Sequence, residues 1–236
     1  MSAAEASGSQ PQAEAVRKDA LPAATRLKIT EIFHSLQGEA DSVGWPTVFV
    51  RLTGCPLRCV YCDTEYAFYG GEWTTVDEVL DNVAAFNTSR VCVTGGEPLA
   101  QKNSIALIQR LADAGHQVSL ETSGALPVDD VDARCVKVLD LKTPGSGEVA
   151  RNRLDNLAHL TKRDQIKFVL CDRADYEWAR GLMREHQLDA RANVLMSPSH
   201  GQMEGADLAR WMLEDRLNAR FQVQLHKYLW GDERGV

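Results

Sequence analysis

Three of the chain's six cysteines fall within eight residues, in the segment Cys55-Pro56-Leu57-Arg58-Cys59-Val60-Tyr61-Cys62. Three thiolates on one short loop can bind three irons of a [4Fe-4S] cluster, which leaves one iron open to a non-protein ligand. A structural zinc ion normally takes four ligands in two separated pairs, and the sequence holds no second Cys or His pair of that spacing. A disulfide with a spare thiol suits a secreted protein, but the first residues do not resemble a secretory signal. The spacing therefore predicts a reactive iron–sulfur site.

Hydrophobic periodicity predicts the elements that carry this loop. The predicted core strands are Thr47–Leu52, Val91–Thr94, Gln117–Glu121, Cys135–Leu141, Ile166–Cys171 and Asn193–Met196, with Leu27–Phe33 before them. Helical patterns lie at 75–83, 103–114, 173–187 and 205–217, the first opening on a capping box. Such alternation builds a parallel sheet with right-handed crossovers, and six strands are too few for an eight-stranded barrel. We predict an α/β fold, an incomplete TIM-type barrel of about six parallel strands, open on one side.

The unusual residues follow these strands, at the end of a parallel sheet where ligands bind. Besides the cysteine loop, the strand-end segments are Gly95-Gly96-Glu97, Glu121-Thr122-Ser123-Gly124, Lys142-Thr143-Pro144-Gly145 and Ser197-Pro198. Glycines let backbone groups approach a ligand, and Glu97 can accept a hydrogen bond from an ammonium group. A tight turn explains either glycine equally well, and Glu121 with Lys142 can form a charge pair at the rim. Both interpretations stay open.

Charged and polar residues inside the apolar strands need partners of their own. Arg51 lies in a run that should be buried, so it must meet a carboxylate of the protein or of a substrate. Cys92, Cys135 and Cys171 lie in apolar runs, and we predict that they are core residues.

Composition limits the class of protein. The chain has 236 residues and a formal net charge of −7, which disfavours a broad nucleic-acid surface. We predict a disordered tail over residues 1–24, which lack apolar periodicity, and one domain over 25–236. The sequence has no apolar run of membrane-spanning length, and six cysteines without an export signal fit a reducing cytoplasm.

Two motifs together carry a resemblance to a known superfamily. The spacing Cys55-x-x-x-Cys59-x-x-Cys62, with Tyr61 before the last cysteine, is similar to the cluster loop of radical S-adenosylmethionine (SAM) enzymes. The segment Val91-Cys92-Val93-Thr94-Gly95-Gly96-Glu97-Pro98 resembles that superfamily's glycine-rich segment. This resemblance implies a [4Fe-4S] cluster held by the three cysteines, with SAM bound at the open iron.

Three further segments resemble 7-carboxy-7-deazaguanine synthases, the ring-contracting family of queuosine biosynthesis. They are Phe33-His34-Ser35-Leu36-Gln37-Gly38-Glu39, Val50-Arg51-Leu52-Thr53-Gly54-Cys55 and Cys62-Asp63-Thr64. The resemblance implies a pterin substrate, Mg²⁺ bound with the help of Thr64, a homodimer, and a flavodoxin-like or ferredoxin-like electron donor. It implies substrate contacts at Leu36, Gln37, Gly38, Glu39, Arg51, Thr94 and His226. For SAM, the family contacts together with the strand-end loops indicate Tyr61, Cys62, Asp63, Gly95, Gly96, Glu97, Ser123, Asp140, Leu141 and Lys142.

The activity implied is conversion of 6-carboxy-5,6,7,8-tetrahydropterin to 7-carboxy-7-deazaguanine with loss of ammonia, started by a 5′-deoxyadenosyl radical. Two alternatives stay open: an activating enzyme that makes a glycyl radical on a protein, and a non-catalytic iron–sulfur electron carrier or sensor. A simple carrier normally closes its cluster with four cysteines, which counts against the last.

The end of the chain carries one more candidate. The alternation in Phe221–Trp230 predicts a strand that brings His226 to the pocket. The resembled family places the matching histidine near the substrate, and some members contact substrate with their final residue. Because this chain continues to Val236, we expect residues 232–236 to contribute little.

Overall fold

The computed structural model describes residues 25–236. The predicted disordered tail, residues 1–24, lies outside the described residues. The strands are β1 Arg26–Leu36, β2 Pro46–Leu52, β3 Glu72–Thr75, β4 Arg90–Gly95, β5 Gln117–Thr122, β6 Val136–Asp140, β7 Gln165–Leu170, β8 Asn193–Pro198 and β9 Arg220–Phe221. The helices are α1 Val76–Ala85, α2 Ser104–Asp113, α3 Arg173–His186, α4 Leu188–Arg191, α5 Gly205–Glu214 and α6 Leu225–Trp230.

All strands belong to one sheet, in the order β3-β1-β2-β4-β5-β6-β7-β8-β9. Strands β2, β4, β5, β6, β7, β8 and β9 are neighbours in this order, and each pairs in parallel with the next. Strand β1 pairs antiparallel with both β2 and β3. Strands β3 and β9 stand at the two ends of this sheet, so the barrel is not closed. The prediction of an incomplete barrel with six parallel core strands is confirmed, and the short β9 extends it.

Helices cover the outer face of the sheet through apolar stripes. The predicted capping box at the start of α1 is confirmed, because the Thr75 hydroxyl accepts from the Glu78 backbone N–H while Glu78 accepts from the Thr75 N–H at 2.8 Å. Val79 and Val83 of α1 are fully buried in the main core. Each such side chain contributes about 1.5–3 kcal/mol through burial, so packing holds the helices against the strands and fixes the strand ends.

Two sequence predictions need correction. Cys92 and Cys135 are buried as predicted, but Cys171 lies just beyond β7 and is half-buried. The predicted strand over Phe221–Trp230 is wrong beyond its first residue, because β9 ends at Phe221 and α6 follows. The Leu225 N–H donates to the Gly38 carbonyl at 2.9 Å, which draws the chain away from the sheet. Phe221, Val223 and Leu225 alternate as in a strand, whereas Leu225, Tyr228 and Leu229 have the helical spacing i, i+3 and i+4, and so short a segment does not decide between the two.

The segment between β6 and β7 forms three short 3-10 turns, Pro144–Ser146, Val149–Arg151 and Leu154–His159. The buried Asp175 of α3 accepts from the Gly145 N–H at 2.7 Å and from the Thr143 hydroxyl at 2.9 Å. This carboxylate fixes the segment beside the cysteine loop. Among the described residues, no helix is both long and apolar enough to span a membrane.

Candidate active site

A cavity of about 660 Å³ opens at the carboxyl end of the parallel strands. It collects residues that lie far apart in the sequence, from the end of β1 to the last residue of the chain. The predicted site residues in its wall are Leu36, Gln37, Gly38, Glu39, Arg51, Cys55, Cys59, Tyr61, Cys62, Asp63, Thr64, Thr94, Gly95, Gly96, Ser123, Asp140, Lys142 and His226.

The cysteine loop forms one side of this cavity with three free, half-buried thiols. The Arg58 guanidinium donates to the Cys55 carbonyl at 2.8 Å, and the Cys62 N–H donates to the Cys59 carbonyl at 3.1 Å, which holds the loop closed. Burial raises the pKa of Cys59 to about 11 and also raises the pKa values of Cys55 and Cys62. Buried thiols of this kind become thiolates when a metal supplies the compensating charge. The donor set therefore fits an iron–sulfur cluster.

Gly95, the last residue of β4, and Gly96, which follows it, allow this strand end to lie directly against the cysteine loop. Gly95 has φ +143°, and a Cβ at Gly96 would lie 2.2 Å from the Gly54 carbonyl oxygen and 2.9 Å from the Cys55 Cβ. The Gly96 N–H donates to the Leu52 carbonyl at 3.1 Å. A side chain at Gly96 would push the β4 loop away from the cysteines, and one at Gly95 would meet the Leu52 backbone of β2, so close approach requires glycine at both positions.

Glu97 and Leu141 lie outside the cavity wall, unlike the other predicted SAM residues. Glu97 is fully buried, and its carboxylate accepts from the Leu99 N–H, the Thr122 hydroxyl, and both the N–H and hydroxyl of Ser123. Its carboxylate oxygens therefore already have donors within the protein, and the expected contact with a ligand ammonium stays a prediction. Leu141 is also fully buried. Glu97 joins the ends of β4 and β5 and so positions Gly96 and Ser123.

Arg51 has the partner that its burial demands, and that partner belongs to the protein. Its Nε lies 2.7 Å from the Glu31 carboxylate, which also accepts from the Tyr66 hydroxyl at 2.8 Å. Arg51 nevertheless lines the cavity, opposite Thr94 in the pairing of β2 with β4. The internal ion pair predicted from the sequence is thus present, and contact with a substrate carboxylate stays a prediction, because one guanidinium carries five N–H donors and an ion pair leaves several of them free.

Comparison with known proteins agrees with this geometry. The Radical SAM superfamily matches residues 49–137, the part that holds the cysteine loop and the glycines. A 7-carboxy-7-deazaguanine synthase of Chlorobaculum tepidum is 45% identical over 214 residues, covering 89% of this chain and 97% of the relative. One of Koribacter versatilis is 43% identical, covering 89% and 100%. The chain belongs to the 7-carboxy-7-deazaguanine synthase family.

A solved structure supports the fold of this synthase family member. The crystal structure of QueE from Escherichia coli superposes with a TM-score of 0.69 at 24% identity, covering 86% of this chain and 95% of that one. This similarity concerns the fold alone. The predicted family and the predicted fold are both confirmed, and the chain is a radical SAM enzyme. Both relatives are named 7-carboxy-7-deazaguanine synthase, and each covers 89% of this chain. This favours a synthase over the two alternatives, a glycyl-radical-activating enzyme and an electron carrier.

The C-terminal residues of this synthase family member close one side of the cavity. His226 of α6 packs against Gly38, where a Cβ would come within 2.2 Å of its Nδ1, and its Nε2 lies 3.7 Å from the Asp63 carboxylate. Residues 231–236 also line the cavity, with the Arg234 guanidinium 4.1 Å above the Tyr66 ring. The small role expected for the tail is therefore revised, because the tail forms part of the wall.

One charged residue in the cavity wall escaped the sequence analysis. Lys167 of β7 is buried, and its Nζ lies 2.5 Å from Glu39 and 3.4 Å from Glu121. Lys167 is the single cation in the apolar run Ile166–Leu170, and this is the same sequence feature that identified Arg51 as a candidate. Burial raises the pKa of Glu121 to about 7, which Lys167 partly opposes. For Glu121 the sequence left open a ligand role and a rim charge pair with Lys142; the structure pairs Glu121 with Lys167 and Lys142 with Asp140 instead.

Proposed function

We propose that this chain converts 6-carboxy-5,6,7,8-tetrahydropterin to 7-carboxy-7-deazaguanine in the cavity described above. The product has one nitrogen and three hydrogens fewer than the substrate, so one ammonia leaves and the reaction balances without a net oxidant. The supporting observation is that one cavity brings together the cysteine loop, the glycines of β4 and the Leu36–Glu39 segment. Relatives named 7-carboxy-7-deazaguanine synthase cover 89% of the chain, and we infer the substrate from their name.

We assign the cluster to Cys55, Cys59 and Cys62, and the SAM site to the neighbouring wall formed by Tyr61, the glycines of β4 and the end of β6. When bound, the cluster and SAM supply the electron and the 5′-deoxyadenosyl radical that start the ring contraction. The protein orients the ligands and excludes water. Asp140 at the end of β6 has an Oδ1 without a hydrogen-bond partner within residues 25–236, so it can accept from a ligand hydroxyl.

The substrate side offers both donors and acceptors. Gln37 is buried, and its Nε2 has no partner in the described part of the chain, so it can donate to a ring oxygen or carboxylate. Arg51 supplies further N–H donors for the anionic carboxylate. Glu39 and Glu121 line the cavity, and Glu121 Oε1 lacks a partner among the described residues. Carboxylates of this kind suit the N–H groups along the guanidine edge of a pterin.

Magnesium is proposed at Thr64, beside the cysteine loop. The Thr64 hydroxyl now donates to the Asp63 carboxylate at 2.7 Å, and both side chains line the cavity. A hard cation favours such oxygen ligands, together with the substrate's carboxylate. The ion would then fix the carboxylate between Thr64 and the donors of the substrate side.

Replacing Thr64 with alanine tests this assignment. Thr64→Ala removes one oxygen ligand, so we expect an unchanged iron content and SAM affinity with loss of most of the Mg²⁺ stimulation of turnover. The measurement is initial rate against Mg²⁺ concentration. Thr88→Ala, at an exposed hydroxyl with only a long 3.4 Å contact to Pro46, is the matched control. A magnesium response that matches the parent would remove Thr64 from the site.

The C-terminal wall provides a second prediction. His226→Ala should raise the KM for the pterin roughly 3- to 10-fold, the value of one hydrogen bond, with the cluster intact. Removal of residues 232–236 should raise it by a similar factor, since it deletes the Arg234–Tyr66 contact and the 2.8 Å ion pair of Lys227 with Asp232. Steady-state kinetics at saturating SAM measure both. Parent-like constants for both variants would show that other residues hold the substrate.

The partners follow from the same proposal. We propose a flavodoxin-like or ferredoxin-like electron donor, a homodimer that covers the open side of the barrel, and a cytoplasmic location. Gel filtration with light scattering tests the dimer.

Anaerobic incubation with dithionite and SAM tests the function itself. We expect 7-carboxy-7-deazaguanine and ammonia in equal amounts only when the pterin is present. Dependence on a protein substrate would indicate a glycyl-radical activase. The absence of deoxyadenosine above background, in protein with a full cluster, would indicate a carrier.

A further inference from the structure

A largely buried cluster of five charged side chains forms the floor of the cavity: Glu39, Glu121, Asp140, Lys142 and Lys167. They come from four places in the chain, the loop after β1 and the strands or strand ends of β5, β6 and β7. The Lys142 ammonium forms an ion pair with Asp140 at 2.9 Å, its one ion pair within residues 25–236, and its Nζ lies 5.6 Å from the centre of the Tyr61 ring. The three carboxylates exceed the two ammonium groups by one charge.

Lys167 is the residue that joins this cluster. Its Nζ lies 2.5 Å from Glu39, 3.4 Å from Glu121 and 3.8 Å from Asp140. An ammonium group has three protons, and three carboxylates surround this one. Lys167 donates hydrogen bonds to Glu39 and Glu121, and Asp140 is a longer-range ion-pair partner. Its charge therefore acts on a ligand mainly through the carboxylates that it holds.

Those carboxylates belong to different halves of the proposed site. Glu39 and Glu121 face the proposed pterin, whereas Asp140 belongs to the proposed SAM wall. We propose that Lys167 is the positioning residue that fixes these three carboxylates through its charge and thereby supports both ligand subsites at once. This inference rests on the proposed function, and it names a residue that the sequence motifs do not contain.

The expected effect of removing the charge follows from electrostatics. In Lys167→Met, a substitution of similar volume, only Lys142 would remain to compensate the three buried carboxylates. Loss of a nearby cation raises carboxyl pKa values, so carboxylates that must be ionised would need a higher pH. We expect the acidic limb of the kcat/KM profile to move upward by about one pH unit or more. Burial already raises the pKa of Glu121, so this carboxyl should respond most.

Binding distinguishes this role from a general loss of structure. On anaerobically reconstituted protein, Lys167→Met should weaken SAM and the unreactive probe 6-carboxypterin, each by about tenfold or more, since both subsites lose an anchored carboxylate. Lys142→Met is the matched control, because Lys142 forms its ion pair with Asp140, and this variant should weaken SAM while leaving 6-carboxypterin within twofold. Lys167→Arg keeps the charge and should return the acidic limb to near the parental pH.

Two outcomes would overturn the inference. One is a Lys167→Met protein with parental affinities for both probes and an unmoved acidic limb. The other is a Lys167→Arg protein whose acidic limb moves as far as that of Lys167→Met, because charge would then not be the cause. Should Lys167→Met fail to fold, Lys167→Met with Glu121→Gln restores the parental charge balance. That double variant should recover a folded protein, and failure to do so would also count against the inference.

The parent enzyme separates this inference from the proposed function. A parent that binds SAM but neither binds 6-carboxypterin nor turns over the carboxytetrahydropterin refutes the function. A parent that does both, beside an unaffected Lys167→Met, refutes only the role of Lys167.

Discussion

Replacing Cys59 with alanine should leave a folded protein that holds no intact [4Fe-4S] cluster and has no measurable turnover. Cys59 is the middle of the three cysteines, and it faces the cavity from a loop that backbone hydrogen bonds hold independently of its side chain. Loss of one thiolate leaves the cluster two protein ligands, too few to hold it. Cys55→Ala and Cys62→Ala should behave alike.

Iron and sulfide counts on anaerobically reconstituted protein, with the absorbance spectrum, measure this result. Cys92→Ala is the matched control, because Cys92 is fully buried in β4 and should cost only about 1 kcal/mol of unfolding free energy through a small cavity. Its cluster content should equal that of the parent. A full complement of iron and sulfide in Cys59→Ala protein would refute the cluster assignment.

Replacing Gly96 with alanine should lower kcat/KM by about 100-fold, although the added group is a single methyl. That methyl would lie 2.2 Å from the Gly54 carbonyl oxygen, and its second neighbour is again Gly54 backbone, so no flexible side chain can move aside. The β4 loop must shift away from the cysteine loop. A displacement of about 1 Å at reacting groups is enough for a loss of that size, and the overpacking itself costs about 1–3 kcal/mol.

Gly181→Ala provides the comparison for this substitution. Gly181 lies inside α3, and a Cβ there would meet open space in the described part of the structure. Alanine in a helix interior should stabilise the protein by roughly 0.5–1 kcal/mol and leave kcat/KM unchanged. Thermal unfolding and steady-state kinetics measure both variants. If Gly96→Ala retained parental kcat/KM, the close contact between the two loops would not matter for catalysis.

The sequence determined the cofactor chemistry and the parallel core of the sheet. Cysteine spacing is a local property, because three ligands on one loop need no distant partner to specify a cluster. Alternating apolar runs and helical patterns likewise determine a parallel sheet, since each crossover must return the chain to the same end. The strand-end glycines followed from that topology, and the structure places Gly96 against the cysteine loop and Gly95 against the Leu52 backbone at the end of β2.

Local patterns were insufficient where two structures satisfy the same short pattern. The residues after Phe221 alternate well enough for a strand, yet they form α6, because the contact of Leu225 with Gly38 draws the chain across the cavity. Likewise, the residues after Trp230 gave no sign of a role, and only the folded chain places Arg234 over Tyr66. Such contacts join residues more than a hundred positions apart, beyond the reach of periodicity.

Only the tertiary structure decided which charged residues face a ligand and which face the protein. Arg51, Glu97 and Lys167 are each single charges at or near the ends of apolar strands, and their sequence contexts are similar. Folding gives Arg51 a carboxylate while keeping it in the cavity wall, removes Glu97 from the wall, and surrounds Lys167 with three carboxylates. The physical reason is that a buried charge must find its partner in space, and that partner comes from another strand.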